Sequence, residues 1–402
     1  MAHGRTNQPH PPDSPAPADP LRPVAPPEPL DRGDDAPLTF GVEEEFLLLD
    51  PETGHPVPEA PVVLRDAAPA ADGTLTEEIT RFQLEAATPV CRSASQAHRH
   101  LAAARRALAD SAARLGLGLV AAGCAPHGAP GALPLTDRPR YRRIDSRFGA
   151  LSESYTVCGC HIHVGMPDLP TALAVSNHLR PHLPTLLAMS ANSPFYRGRD
   201  TGHASWRNVL WSRLPSAGPP PLYRTPEDYH RAVGALLSGG AALDRGMVYW
   251  FIRPAPRLPT LEIRVADVAA TAEEALLLAL LVRGLAATAL RAVAEGRPAA
   301  EPSDGLLRLA LWRAAHDGLE GNGLDPATGA PTPARVLLDR TVRTALPGLD
   351  ASGDTAVVAG LVDRLLRCGS GAHRQRAAHA RDGRISDVTA LLVEQTRTPL
   401  PA

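Results

Sequence analysis

Lysine is absent from this chain of 402 residues; all 41 basic side chains are arginine. That absence excludes whole classes of chemistry. A P-loop needs its lysine, a Schiff base forms on one, and kinase-type nucleotide sites use one to hold phosphates. Any phosphate handled here must be met by arginine, backbone N–H groups or metal ions. A composition rich in Ala, Arg and Pro fits a GC-rich genome and accounts for the missing lysine, but the chemical exclusion stands regardless. Net charge is also nearly absent, at −2, so nothing points to nucleic acid or an anionic membrane as a partner. No run of about 18 uncharged apolar residues is present, so no membrane span is expected. The polar, Pro-rich N-terminus has no apolar core of the secretory-signal kind, and the cytoplasm is the expected compartment. The five cysteines, at 91, 124, 158, 160 and 368, are too few and too scattered for a disulfide framework in a chain this long.

What is present changes abruptly along the chain. Residues 1–37 hold 11 of the 42 prolines and almost no large apolar residue; they read as a disordered tail. From Leu38 to 398 the pattern is that of a single domain. Strand-like segments are expected at 38–50, 77–90, 117–123 and 153–168, with two more around a proline turn within 247–268. A helix is expected over 93–116, capped by Ser93 or Ser95 and stopped at Gly116. Thr271 and Glu274 form a capping box opening a long helix to about Glu295, and the remainder to 397 reads as mostly helical. The expected fold class is α+β, built on a largely antiparallel sheet with helices packed around it.

The strands carry the chemistry. In β-structure, residues two apart share a face. In "TFGVEEEFLLLD" (39–50) Glu43 and Glu45 therefore point one way, beside the small Thr39 and Gly41. Phe40, Val42, Phe46 and Leu48 point the other way, with Glu44 among them. Two like charges on one pleated face repel unless something positive lies between them, and Mg²⁺ takes such oxygen ligands. A solvated edge strand is the plainer alternative. His161 and His163 likewise share a face, opposite Cys158, Cys160, Ile162 and Val164, so a joint Cys/His zinc site is disfavoured and the thiols are expected to pack. Glu262 and Arg264 share a face of the late strand, where a surface salt bridge is the alternative. Glu78 and Glu85, seven apart, fall on opposite faces of a straight strand, so both reach one site only across a bulge or a helical turn. A sheet with one apolar face and one face of Glu, His and Arg suits bound metal ions and phosphates.

Six segments in order, "GVEEEFLLLDPETG", "EAATPV", "CGCHIHVGMPD", "SANSPFYRGRDTGHASWR", "RPAPRLPTLEIRVAD" and "GSGAHRQRAA", resemble the carboxylate–amine ligase family, of the glutamate–cysteine ligase type 2 kind, from about Leu38 to Thr396. The resemblance implies a sheet akin to that of glutamine synthetase, with ATP and Mg²⁺ on its polar face. It implies that a carboxylate is activated as an acyl phosphate and then attacked by an amine, with weak glutamate–cysteine ligase activity. It implies Glu43, Glu45, Glu78, Glu85, Glu262 and His161 as metal ligands, with Arg264 and His161 in catalysis. Binding of substrate or nucleotide is expected of His163, Arg197, Arg207 and Arg264; an arginine fork suits phosphate and carboxylate. The alternatives are a biosynthetic ligase joining another acid and amine, a metal-dependent amidohydrolase, and a non-catalytic sensor on the same fold. The partners expected are small carboxylates and amines, with homo-oligomerisation left open.

Overall fold

The computed structural model describes residues 37–68, 73–129 and 131–399; the tail expected over 1–37 lies outside these but for Pro37. Strand β1 (Phe40–Leu49) occupies the middle of the sheet, and its alternation decides which side is core. Around it lie β2 (Thr74–Glu77), β3 (Gln83–Ala87), β4 (Gly118–Val120) and β5 (Gly159–Gly165). A short hairpin, β6 (Phe195–Tyr196) and β7 (Arg199–Asp200), stands apart, and β8 (Ile252–Pro254) and β9 (Thr260–Asp267) complete the sheet. The order is β2-β3-β1-β5-β9-β8, with β4 on the far end of β1, and every pairing is antiparallel.

One face is apolar. Phe40, Val42, Cys160, Ile162, Val164, Leu261 and Ile263 are all within 1 % of complete burial, and each such side chain contributes about 1.5–3 kcal/mol by leaving water. Helices Ala94–Arg114, Leu183–Ser190 and Ala272–Ala294 cover this face. Ser93 caps the first by accepting from Gln96 N, and the Thr271–Glu274 capping box opens the third. Helix Ala272–Ala294 is long and apolar enough to cross a membrane by composition, yet 72 % of its apolar window is buried inside the fold. Its Arg283 is held there by Asp354, by the carbonyl of Arg92 and by the Phe40 ring 4.6 Å away. Five further helices between Asp304 and Arg397 follow, as the late sequence suggests.

Two expectations change. Segment 77–90 is not one strand: the chain turns at residues 78–82 and returns, so β2 and β3 form a hairpin. The strand expected over 153–168 is shorter, because Gly149–Tyr155 is a 3₁₀ turn that buries Tyr155. Segment 190–208 contains the β6–β7 hairpin, whose two-residue turn places Arg197 and Gly198 at φ 53° and 75°. Positive φ at both central residues is what such tight hairpins need.

Candidate metal and phosphate site

The other face of the sheet gathers the titratable residues. Glu43 lies opposite His161 in the β1–β5 register, Glu45 opposite Glu85 between β1 and β3, and His163 opposite Glu262 between β5 and β9. The sequence parity of β1 holds: Glu43 and Glu45 face this side, while Glu44 turns inward. There Glu44 is 1 % exposed and takes a fork of bonds from Arg105, at 3.0 Å from Nε and 2.5 Å from Nη2. Arg105 also donates to the carbonyls of Ala269 and Ala270, so the buried pair is fully hydrogen-bonded.

Two triads of ligand atoms emerge on the polar face, Glu43–His163–Glu262 and Glu45–Glu78–Glu85, each with its three atoms within 4.8 Å of one another. The hairpin turn is what delivers Glu78 and Glu85 to one place, which a straight strand forbids. His163 stands in the first triad where the sequence reading puts His161. The register explains the exchange: His163 faces the small Gly41 on one side and Glu262 on the other. His161 is instead enclosed, with Nδ1 3.3 Å from Glu43 and 3.4 Å from Arg264 Nη1, and Nε2 3.8 Å from Glu45. Neutral, its Nδ1 can donate to Glu43 or accept from Arg264, but not both.

The electrostatics of the two triads differ. Burial raises the Glu43 carboxyl, but hydrogen bonds from His161 and His163 outweigh it and hold the group below the usual carboxylate range. Burial also opposes the ionisation of Glu262, and Arg253 and Arg264 overcome it, holding that group well below its ordinary value. Against burial, Glu43 and Glu262 raise His163; burial and then Arg264 lower His161. In the second triad the balance reverses. Burial raises Glu45 despite the pull of His161, with Glu78 adding to the rise. Burial, then the charges of Glu78, Glu43 and Glu45, raise Glu85 well above its ordinary value. Crowded buried carboxylates with no permanent cationic partner are what a divalent cation neutralises. The oxygen-rich donor sets fit a hard ion such as Mg²⁺ or Mn²⁺, and His163, whose Nδ1 meets Thr260 at 2.9 Å, turns its Nε2 to Glu43 at 3.2 Å within the first triad.

The arginines divide by what they already hold. Arg264 spends only Nη1, on Glu262 and His161; its buried Nε has no partner. Arg207 is 2 % exposed and donates to the carbonyls of Val265 and Arg264 at 3.4 and 3.3 Å. It is a strut beneath β9, and its guanidinium lies so close to Gly159 that a larger residue there would displace it. Gly159 in turn donates its N–H to Glu45 at 2.6 Å. Arg197, at the tip of its hairpin, is paired with Glu153 at 2.6 Å and has 66 % of its side chain exposed; none of its contacts is with either triad. Arg253, which the sequence reading passed over, grips Glu262 at 2.7 Å. Its signal was available: Arg253 opens the quoted "RPAPRLPTLEIRVAD" segment, nine residues before Glu262. The buried Asp267 was also missed. It accepts from Ser193, Ser205 and the Asn192 N–H, anchoring segment 190–208 to the end of β9. A register shift between β5 and β9 at Cys160/Ile162 returns Asp267 to the polar side, and no parity rule foresees it.

Known proteins share this fold. The structure resembles a bifunctional glutathione synthetase from Pasteurella multocida, with TM-score 0.60 and 15 % identity, covering 90 % of this chain and 52 % of that one. This chain thus spans about half the length of the Pasteurella protein. It also resembles a glutamate–cysteine ligase from Francisella tularensis in complex with AMP, with TM-score 0.58 and 13 % identity, covering 91 % and 90 % of the two chains. At such identities the likeness shows a shared fold. Sequence relatives are much nearer. A Saccharopolyspora erythraea protein named "Putative glutamate--cysteine ligase 2-1" is 48 % identical over 359 residues, 89 % of this chain and 95 % of its own. A Salinispora tropica protein named "Putative glutamate--cysteine ligase 2" is 44 % identical over 382 residues, 95 % and 99 % of the two chains. Residues 39–391 match the family described as glutamate–cysteine ligase family 2. With that match over most of its length and relatives this similar, the chain belongs to glutamate–cysteine ligase family 2.

Proposed function

We propose that this protein is an ATP-dependent carboxylate–amine ligase whose chemistry runs on the polar face of the sheet. The observation that carries the reading is the pair of donor triads beside an arginine with unspent N–H groups. In this reading Glu43, His163 and Glu262 hold one Mg²⁺, and Glu45, Glu78 and Glu85 another. When bound, the ions neutralise phosphate charge, which is most of what phosphoryl transfer requires. Arg264 turns its free nitrogens to the transferring phosphoryl group, while Glu262 and the Tyr249 ring, 6.0 Å from its guanidinium, keep it in place. His161 fixes the Glu43 and Glu45 carboxylates between the triads. The γ-phosphoryl group of ATP passes to the substrate carboxylate, giving ADP and an acyl phosphate. The amine attacks that carbonyl, phosphate departs, and the amine proton goes to solvent or a nearby carboxylate. Glutamate and cysteine are the first substrates to try.

The catalytic unit in this proposal is the whole of 38–398. One apolar core runs from Leu38 to Leu365 and a second from Phe46 to Leu392, so sheet and C-terminal helices share both. Phosphate release from ATP and Mg²⁺ by the purified protein, across a panel of acids and amines that includes glutamate with cysteine, tests the reading. Release that needs both an acid and an amine, with stoichiometric ADP, supports it and names the substrates. No ATP turnover with any pair overturns it.

A further inference from the structure

Arg253 stands directly across β8–β9 from Glu262 and is 7 % exposed. Its Nε donates to Glu262 Oε2 at 2.7 Å and its Nη2 to Oε1 at 3.3 Å. Its Nη1 donates to the carbonyls of Gly246 and Val248 at 2.8 and 2.7 Å. With four bonds made from both ends of the fork, the guanidinium cannot swing aside without stranding buried groups. Arg264 Nη1 adds a further donor to Glu262 Oε1.

A carboxylate offers roughly four lone-pair directions, two on each oxygen. At Glu262, Oε1 receives Arg264 and Arg253 Nη2 and is full. Oε2 receives Arg253 Nε and keeps one direction open. A chelating bite needs both oxygens; a single-oxygen contact needs only the open one. We infer that Arg253 restricts Glu262 to one-oxygen ligation through Oε2 and so selects a small octahedral cation of the Mg²⁺ kind over Ca²⁺ at the Glu43–His163–Glu262 triad. Ca²⁺ takes bidentate carboxylates and a larger, looser shell, whereas Mg²⁺ demands near-octahedral geometry. The inference rests on reading that triad as a cation site. The other triad supplies an internal control: Glu45 accepts from Gly159 N, Glu78 from Ile79 N and Glu85 from Thr76, with no arginine among the described residues bonded to any of the three. Arg253 is thus a positioning residue that acts through Glu262 and touches no reacting atom.

The test uses the full chain, wild type and Arg253→Gln. Mn²⁺ sites are counted by electron paramagnetic resonance, and Mg²⁺ and Ca²⁺ are then competed against Mn²⁺ at each. The expected result is that Arg253→Gln narrows the Mg²⁺-over-Ca²⁺ preference about tenfold at one site and leaves the other unchanged. An unchanged ratio at both sites overturns the inference while the cation reading survives. Wild-type protein that binds no Mn²⁺ overturns the cation reading and this inference with it. A crystal structure of Mn²⁺-loaded wild type does not depend on the variant folding. Contact through Glu262 Oε2 alone supports the restriction; contact through Oε1 or through both oxygens overturns it.

Discussion

Glu43, Glu44 and Glu45 are consecutive, chemically alike and enclosed by the same sheet, yet they live in opposite worlds. Glu44 faces the apolar core and meets Arg105 in a pair whose side chains are 3 % and 2 % exposed. Its neighbours face the other side, where His161 and His163 meet part of their charge and Glu45 shares its space with Glu78 and Glu85. A permanent partner closes the first arrangement, and nothing can enter without breaking it. The second is left electrostatically incomplete. A buried carboxylate with its own arginine fork is electrostatically closed, whereas carboxylates that share one space without such a partner repel until a cation neutralises them.

Breaking the incomplete side should have the largest effect. Glu43→Gln and Glu262→Gln are each expected to lower ATP turnover by about 10⁴-fold, or about 5.5 kcal/mol, with the fold kept. Steady-state assays beside thermal unfolding check this, and wild-type turnover in either variant would remove that residue from the site. On the closed side the sign of the outcome inverts. Arg105→Met is expected to cost about 3–5 kcal/mol of stability, because it leaves Glu44 buried and unpaired. Adding Glu44→Leu should restore most of that loss. Denaturant titration of the two variants measures it, and additive losses would show that the two side chains do not act as a pair.

Ion removal sharpens the contrast. At a Mg²⁺ concentration 100 times its Kd the wild type should gain about 2.7 kcal/mol over protein in chelator. The gain should persist in Arg105→Met and shrink in Glu85→Gln. Equal gains in all three proteins would detach the ions from the polar face.

His182 supplies a third case, a largely enclosed titratable ring with no anionic partner among the described residues. Its Nδ1 meets only the Thr341 hydroxyl, at 3.2 Å. Burial, with the nearby His178 adding, pushes its pKa down from 6.5 to about 4. The unfolded chain therefore binds the proton more tightly than the folded one. Stability is complete above the unfolded value and is lost as pH falls from 6.5 toward 4. Because the ring is not wholly enclosed, the loss assigned to it is about 1–2 kcal/mol. His182→Gln should flatten the acid limb of the pH–stability curve by that amount; an unchanged limb would place the acid sensitivity elsewhere.

The period-2 pattern of the sequence determined which side of each strand is which. Glu43 with Glu45, His161 with His163, and Glu262 with Arg264 each share a face as read, and Cys158 and Cys160 are buried on the other, because pleating is a local property of the backbone. Ser93 and the Thr271–Glu274 box fixed their helix starts for the same reason, since capping involves only near neighbours. The tertiary structure decided what parity cannot carry across a turn, a bulge or a pairing between distant strands. The turn at 78–82 brought Glu78 to Glu85, the β5–β9 register chose His163 over His161, and the register shift swung Asp267 round. Only pairing between residues 9 and 61 positions apart gave Glu262 its Arg253 and Glu44 its Arg105. Partners of buried charges are chosen by strand order and helix packing, and those depend on the whole core rather than on any one segment.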